Sequence, residues 1–195
     1  MTNTAEFIKL AQVITTVGIG AVIDLAASAA TTDPVLLQNI ASTVTVEARH
    51  DAFFRQALSL TPNPAPQDTR ISPEWALNLA LPFVLPGSCP LSPAVRRFPS
   101  LEILGVMTPT TTMITFATTA NVTQGMYVGW VNQANVPVYT SISVLAGMPQ
   151  GVFNTTVPPG MGGMAFAALT GQTMALDVAA LTVATLAGPV PVPIS

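Results

Sequence analysis

Charge is what this chain of 195 residues has least of: only 8% of its side chains are Asp, Glu, Lys or Arg, against roughly 25% in an ordinary soluble domain. From Ile103 onward the one charged side chain is Asp177. Six basic residues and a net charge of −3 argue against nucleic acid as a partner, because that binding leans on many Lys and Arg contacts to phosphate. The single cysteine, Cys89, excludes an internal disulfide. The single histidine, His50, is the only imidazole that could serve Cys89, and no third group can be assigned, so Gly87-Ser88-Cys89 is read as structural rather than as a thiol nucleophile. No basic stretch followed by an apolar core opens the chain, so no secretory leader is read in it.

Half of the residues are apolar, enough for a sizeable core. A surface with so few charges must be kept soluble by hydroxyls, amides, burial against a partner, or sugar. Two glycosylation acceptors are present, Asn121-Val122-Thr123 and Asn154-Thr155-Thr156, both in the charge-poor half. Together with the missing charges they point to an extracellular or cell-wall protein, whose leader would then lie outside this sequence.

Three stretches differ in period. Residues 4 to 30 read as a helix opened by Asn3 and Glu6 in capping-box spacing. A second helix begins at Pro34, capped by Thr32 or Asp33, and ends near Ser59. The short link at 31–33 makes the pair an antiparallel hairpin. Residues 61–98 are rich in proline and admit only short helices, the best being Ser72 to Leu81 with Ser72 as cap. From residue 100 the period becomes two: Val138, Thr140, Ile142 and Val144 alternate with Tyr139, Ser141 and Ser143, and runs at 112–118, 126–131, 163–169 and 179–186 are set off by turn residues. About seven short strands fit an antiparallel sandwich of the immunoglobulin-like kind, without the cysteine pair of antibody domains. The expected class is α+β: a helical hairpin (1–60), a proline-rich connecting segment (61–98) and a β-sandwich (99–195).

Leu10 to Ala30 is also long enough to cross a bilayer. Asp24, Gln12, the Thr15-Thr16 pair and the lack of flanking basic or aromatic anchors beyond Lys9 weigh against a span. A helix buried in a bundle is the preferred reading.

On the second helix Leu37, Ile40, Val44, Phe54 and Leu58 form an apolar stripe, and Glu47, His50 and Asp51 fall on its side. An inward carboxylate and imidazole need a partner, a proton or a metal. Glu-x-x-His is the element that, twice over and joined by two further Glu, holds paired iron or manganese ions in four-helix carboxylate proteins. The facing level of the first helix, however, is Ile14 to Val17; Asp24 lies roughly 10 Å farther along the axis and Glu6 farther still the other way. One hairpin thus offers two strong ligands, fewer than a stable site requires. Either a second copy completes a composite site, or Glu47 and His50 pair with each other or with nearby side chains. Two other features have plain readings: Gly160, Gly162 and Gly163 as a strand-connecting turn rather than a phosphate cradle, and Tyr127 with Trp130 as sandwich core rather than a sugar platform.

Val17-Gly18-Ile19-Gly20-Ala21, Val46-Glu47-Ala48-Arg49-His50, the proline-rich segment with Cys89-Pro90, and Leu186-Ala187-Gly188-Pro189 resemble the fungal secreted ferritin-like proteins related to stress-response and desiccation-associated proteins. The resemblance implies a ferritin-like bundle followed by a sandwich, an ancestral two-metal site of iron or manganese, and an extracellular or cell-wall setting. By position it makes Glu47 and His50 the fourth helix's ligands, puts Thr16 where the third helix would often carry a carboxylate, and makes this hairpin the last two helices of four.

The expected function is a secreted, glycosylated ferritin-like protein with a structural or stress-linked role and a vestigial or incomplete di-metal site, for which the sequence requires no catalysis. Its alternatives are an iron or manganese oxidoreductase completed by oligomerisation, with Glu47 bridging and His50 terminal, and a membrane-anchored surface protein. A two-helix unit buries too little to hold itself, so a homo-oligomer or a second chain completing the bundle is the expected partner.

Overall fold

The computed structural model describes residues 3–85, 87–88, 95–108, 110–134 and 136–194. Helix α1 is Thr4–Ala29, and Asn3 in extended backbone accepts the Glu6 N–H at 2.9 Å. Helix α2 is Pro34–Ala57, with the Asp33 carboxylate accepting from the N–H groups of Val35 and Leu36. The two lie antiparallel and in contact. Helix α3, Pro73–Ala80, is capped by Ser72, whose hydroxyl accepts from Trp75 N–H at 3.2 Å. Each start stands where a side-chain acceptor, and in α2 and α3 a proline as well, satisfies or removes orphan N–H groups.

Seven strands follow: β1 Leu101–Leu104, β2 Met113–Thr118, β3 Tyr127–Asn132, β4 Val138–Val144, β5 Val152–Thr156, β6 Met164–Thr170 and β7 Thr185–Pro193. All pairings are antiparallel, in the order β1-β2-β5-β4-β3-β6-β7. That is the Greek-key order of the seven-stranded immunoglobulin-like sandwich, with β4 paired to both β5 and β3 so that the two layers run on into each other. The outer strands β1 and β7 also touch, which curls the sheet almost into a barrel.

One expected strand is corrected. The run 179–186 is mostly helix α4, Val178–Ala184, and the strand begins only at Thr185. Asp177 caps that helix by accepting from Ala180 N–H at 2.7 Å, and its buried residues Val178, Leu181 and Thr182 follow helical spacing. The β-branched content of the run misled because a cap and a three-to-four spacing outweigh intrinsic strand preference over seven residues.

The described residues form two cores. Between the layers, Trp130 packs against Phe116 (ring centroids 6.2 Å) and Phe116 against Phe153 (5.7 Å), together with Val128, Ile142 and Leu169. Trp130 occupies the third strand, and an aromatic rather than a cysteine stands opposite it on β2. On the outer face of the β3-β6-β7 layer a second cluster gathers Ile71 and Trp75 with Val131, Phe166, Val178 and Leu181, and Val13 and Val17 of α1 pack on its edge. Strand β6 is therefore buried along its whole length.

The proline-rich stretch contributes that second cluster. Ile71 N–H donates to the Gly20 carbonyl at 3.2 Å, Thr69 Oγ1 donates to the Met164 carbonyl at 2.7 Å and accepts from Gln133 N–H at 2.8 Å. The segment is a strap that ties the hairpin to the sandwich.

Candidate functional site

The seam between α1 and α2 is set by helical phase. On α2 the side facing α1 runs through Leu37, Ile40, Val44, Ala48, Asp51 and Arg55, in steps of three and four, and Ile40 and Arg55 are its buried members. Glu47 and His50 each precede a seam residue by one position, about 100° around the helix. Their side chains are accordingly 35% and 55% exposed, with His50 Nδ1 and Glu47 Oε2 3.5 Å apart. This corrects the expectation that both look into the interior: of 47, 50 and 51, only Asp51 lies in the seam. At 3.5 Å the contact is long for a hydrogen bond.

These two residues do not fit a two-metal centre within this chain. Among the described residues no group of three or more His, Cys, Asp or Glu side chains converges, and two donors on a half-exposed surface fall short of the four that even a simple site needs. Asp24 pairs instead with Arg70, Nε to Oδ1 at 2.6 Å. The carboxylate nearest in sequence, Asp51, is held from the other side: its Oδ1 accepts from Gln12 Nε2 at 3.0 Å and from Thr16 Oγ1 at 2.9 Å. Thr16 thus stands across from an acid rather than replacing one.

Sequence reading missed the cleft that this network opens into. A cavity of about 340 Å³ lies where hairpin, strap and sandwich meet, lined by Gln12, Thr16, Asp51, Arg55, Asp68 and Gly162. Arg55 is 2% exposed, and its Nε donates to the Thr61 carbonyl at 2.7 Å, which fastens the start of the strap. Burial lowers the Arg55 pKa and the Asp51 charge opposes that fall. Gly162 lies close under the strap, where a Cβ would stand 3.1 Å from the Pro64 carbonyl oxygen. The signal was present as Asp51 and Arg55 four apart on one helix face, but nothing local says that residues 62–69 return to cover them.

Burial raises the Asp68 carboxyl pKa above its ordinary value of 3.8, and the Asp51 charge pushes it the same way. A carboxyl raised in the folded state takes up a proton on folding, so its contribution is full below 3.8 and lost as pH rises through the folded value. Asp68→Asn is therefore expected to raise the urea midpoint at neutral pH and to leave it unchanged in acid. The gain should stay under about 1 kcal/mol, because the residue keeps contact with water that screens the repulsion.

The remaining sequence candidates separate cleanly. Trp130 is fully buried in the core between the layers, whereas Tyr127 is half-buried and belongs to neither cluster. Gly160 and Gly163 take positive φ, +80° and +68°, in the connection between β5 and β6. Asn121 is exposed on the loop after β2 and accepts from Gln150 Nε2 at 3.0 Å. Asn154 sits half-buried in β5, its Oδ1 accepting from Thr115 Oγ1 at 2.7 Å. Cys89 and Pro90 lie outside the described residues.

Helix α1 is long and apolar enough to cross a membrane. Its buried side nevertheless carries Gln12, Thr16 and Asp24, each paired to another part of the fold. Entering a bilayer would separate all three from their partners at a cost of several kcal/mol.

No curated protein matches this chain. The family model of the ferritin-like domain matches residues 1–60, the stretch that holds α1, the link and α2. The N-terminal hairpin of this chain is thus similar to the ferritin-like domain over residues 1–60.

Proposed function

We propose that this chain is a secreted ferritin-like protein of the fungal stress-related type, glycosylated at Asn121 and Asn154, with a structural role outside the cell and an incomplete di-metal site at Glu47 and His50. The observation that carries the reading is the pairing of a hairpin similar to the ferritin-like domain with two partly exposed donors, Glu47 and His50, and no converging group of three or more metal-ligating side chains among the described residues. The charge-poor sandwich and the exposed Asn121 loop support the extracellular setting. Its test is metal analysis. Protein incubated with iron(II) or manganese(II) and then desalted is expected to keep less than about a tenth of an ion per chain, because two donors cannot hold a labile cation through buffer exchange. Stoichiometric retention would overturn the reading in favour of an oxidoreductase centre assembled between chains.

A second observation favours assembly in either case. Phe7, Ile14, Val35 and Phe53 of the hairpin are all more than half exposed, and a hairpin that is half of a four-helix arrangement leaves such a face for another pair of helices. A second copy, or a further chain, is the proposed cover. Light scattering at micromolar concentration should give at least twice the mass of one chain; a monodisperse monomer would count against it.

A further inference from the structure

Two cavities adjoin along one side of α1, away from the Glu47 and His50 face. The first, about 270 Å³, is lined by Lys9, Val13, Leu60, Met107, Pro193 and Ile194 among others. The second, about 360 Å³, is bounded by Val13, Val17, Leu79, Phe83 and Pro191 and is almost wholly apolar. Val13 belongs to both. Lys9, Val13 and Val17 are four apart and share one helix face, while Pro191 and Pro193 are two apart and share one face of β7. The cavities therefore form one trough between helix and strand, running about 12 Å from Lys9 to Val17 by the helical rise.

The lining says what would fill it. At the far end Pro191 carries no N–H, and the side chains of Val17, Leu79 and Phe83 add no polar atom, so that end suits hydrocarbon. The near end is different in kind. Lys9 is the only cation on α1, is exposed, and has no ion-pair or hydrogen-bond partner among the described residues. Thr108 lies at the same mouth. Gln12 and Arg55 also line this near cavity, so a polar, cationic end joined to an apolar one complements an anion at one end of a hydrocarbon chain.

We infer that the trough between α1 and β7 binds a single-chain anionic amphiphile of the fatty-acid class, with its carboxylate at Lys9 and its chain along Val13 and Val17. This site uses neither metal donor, and it borders the face proposed for assembly, since Ile14 also lines the second cavity.

The test is calorimetric titration of the full chain with decanoate, kept below its micelle concentration, alongside decanol. Saturable uptake of one decanoate per chain is expected. Lys9→Glu, at an exposed helix position, should weaken decanoate about tenfold or more, the loss expected when a favourable charge contact becomes a repulsive one, and should leave decanol unchanged. Val17→Trp should abolish both by filling the trough, and circular dichroism would establish that this variant is folded. Non-saturable uptake, or equal decanoate affinity for the parent and Lys9→Glu chains, would overturn the assignment. So would failure to bind decanoate in a particle whose native mass shows a second copy.

Discussion

Replacing Trp75 by alanine is expected to destabilise the protein by about 3–5 kcal/mol, the range for removing a large buried aromatic, and to lower its melting temperature by on the order of 10 °C. Trp75 is fully buried on α3, and its Nε1 donates to Thr185 Oγ1 at 3.1 Å. Thr185 Oγ1 in turn donates to the Leu181 carbonyl at 2.9 Å, so the indole closes a chain of bonds linking the strap to the junction of α4 and β7. Truncation leaves a cavity in the cluster shared by strap, sandwich face and α1. Trp75→Phe separates the two contributions: it keeps most of the ring contact and removes the donor, for about 1–1.5 kcal/mol. Urea unfolding of both variants measures the difference. A loss under about 1 kcal/mol for alanine, against the cavity expectation, would mean that the proline-rich segment is a passive connection.

Two glycines in α1 should respond with opposite sign to the same substitution. Helix propensity alone says that Gly→Ala stabilises an interior helical position by about 1 kcal/mol. At Gly18 nothing lies within 4 Å of an added Cβ, so Gly18→Ala should show that gain. At Gly20 the Cβ would stand 2.5 Å from the Thr69 carbonyl oxygen and 3.1 Å from Ile71 Cγ1. Steric overlap with backbone costs about 1–3 kcal/mol, and relief requires lengthening the Ile71 N–H bond to the Gly20 carbonyl. Gly20→Ala should therefore destabilise by a net of about 1 kcal/mol once the clash is set against propensity. Denaturant midpoints for the two variants should move in opposite directions; movement in the same direction would mean that the strap does not bear on α1 at residue 20.

The element starts were the most legible part of the molecule. Asn3, Asp33 and Ser72 each announce a helix because capping depends on the two or three residues that follow. Alternation at 138–144 announces a strand in the same local way. The sandwich could be inferred from strand count and turn spacing, and the observed pairing order agrees with it. Helix α4 was lost because its residues satisfy both a strand composition and a helical spacing.

The candidate site was less legible. Placing Glu47 and His50 inside relied on a stripe drawn through Phe54 and Leu58, whereas the observed seam continues through Ala48, Asp51 and Arg55. A shift of one residue turns a helix by about 100°, and a stripe averaged over several turns does not resolve that much rotation. The cleft at Asp51, Arg55 and Asp68 depends on a strap whose order comes from contacts with residues far along the chain, such as Thr69 with Met164.

What the sequence determined by itself is the set of local decisions: where helices begin, which runs alternate, that no disulfide braces the fold, and that the second half carries almost no charge. Only the tertiary structure decided which face of each helix is covered, that the prolines form a strap rather than a spacer, and that Asp51 instead of Glu47 meets the first helix. Capping and periodicity act over a few residues, whereas burial is settled by partners brought in from a hundred residues away.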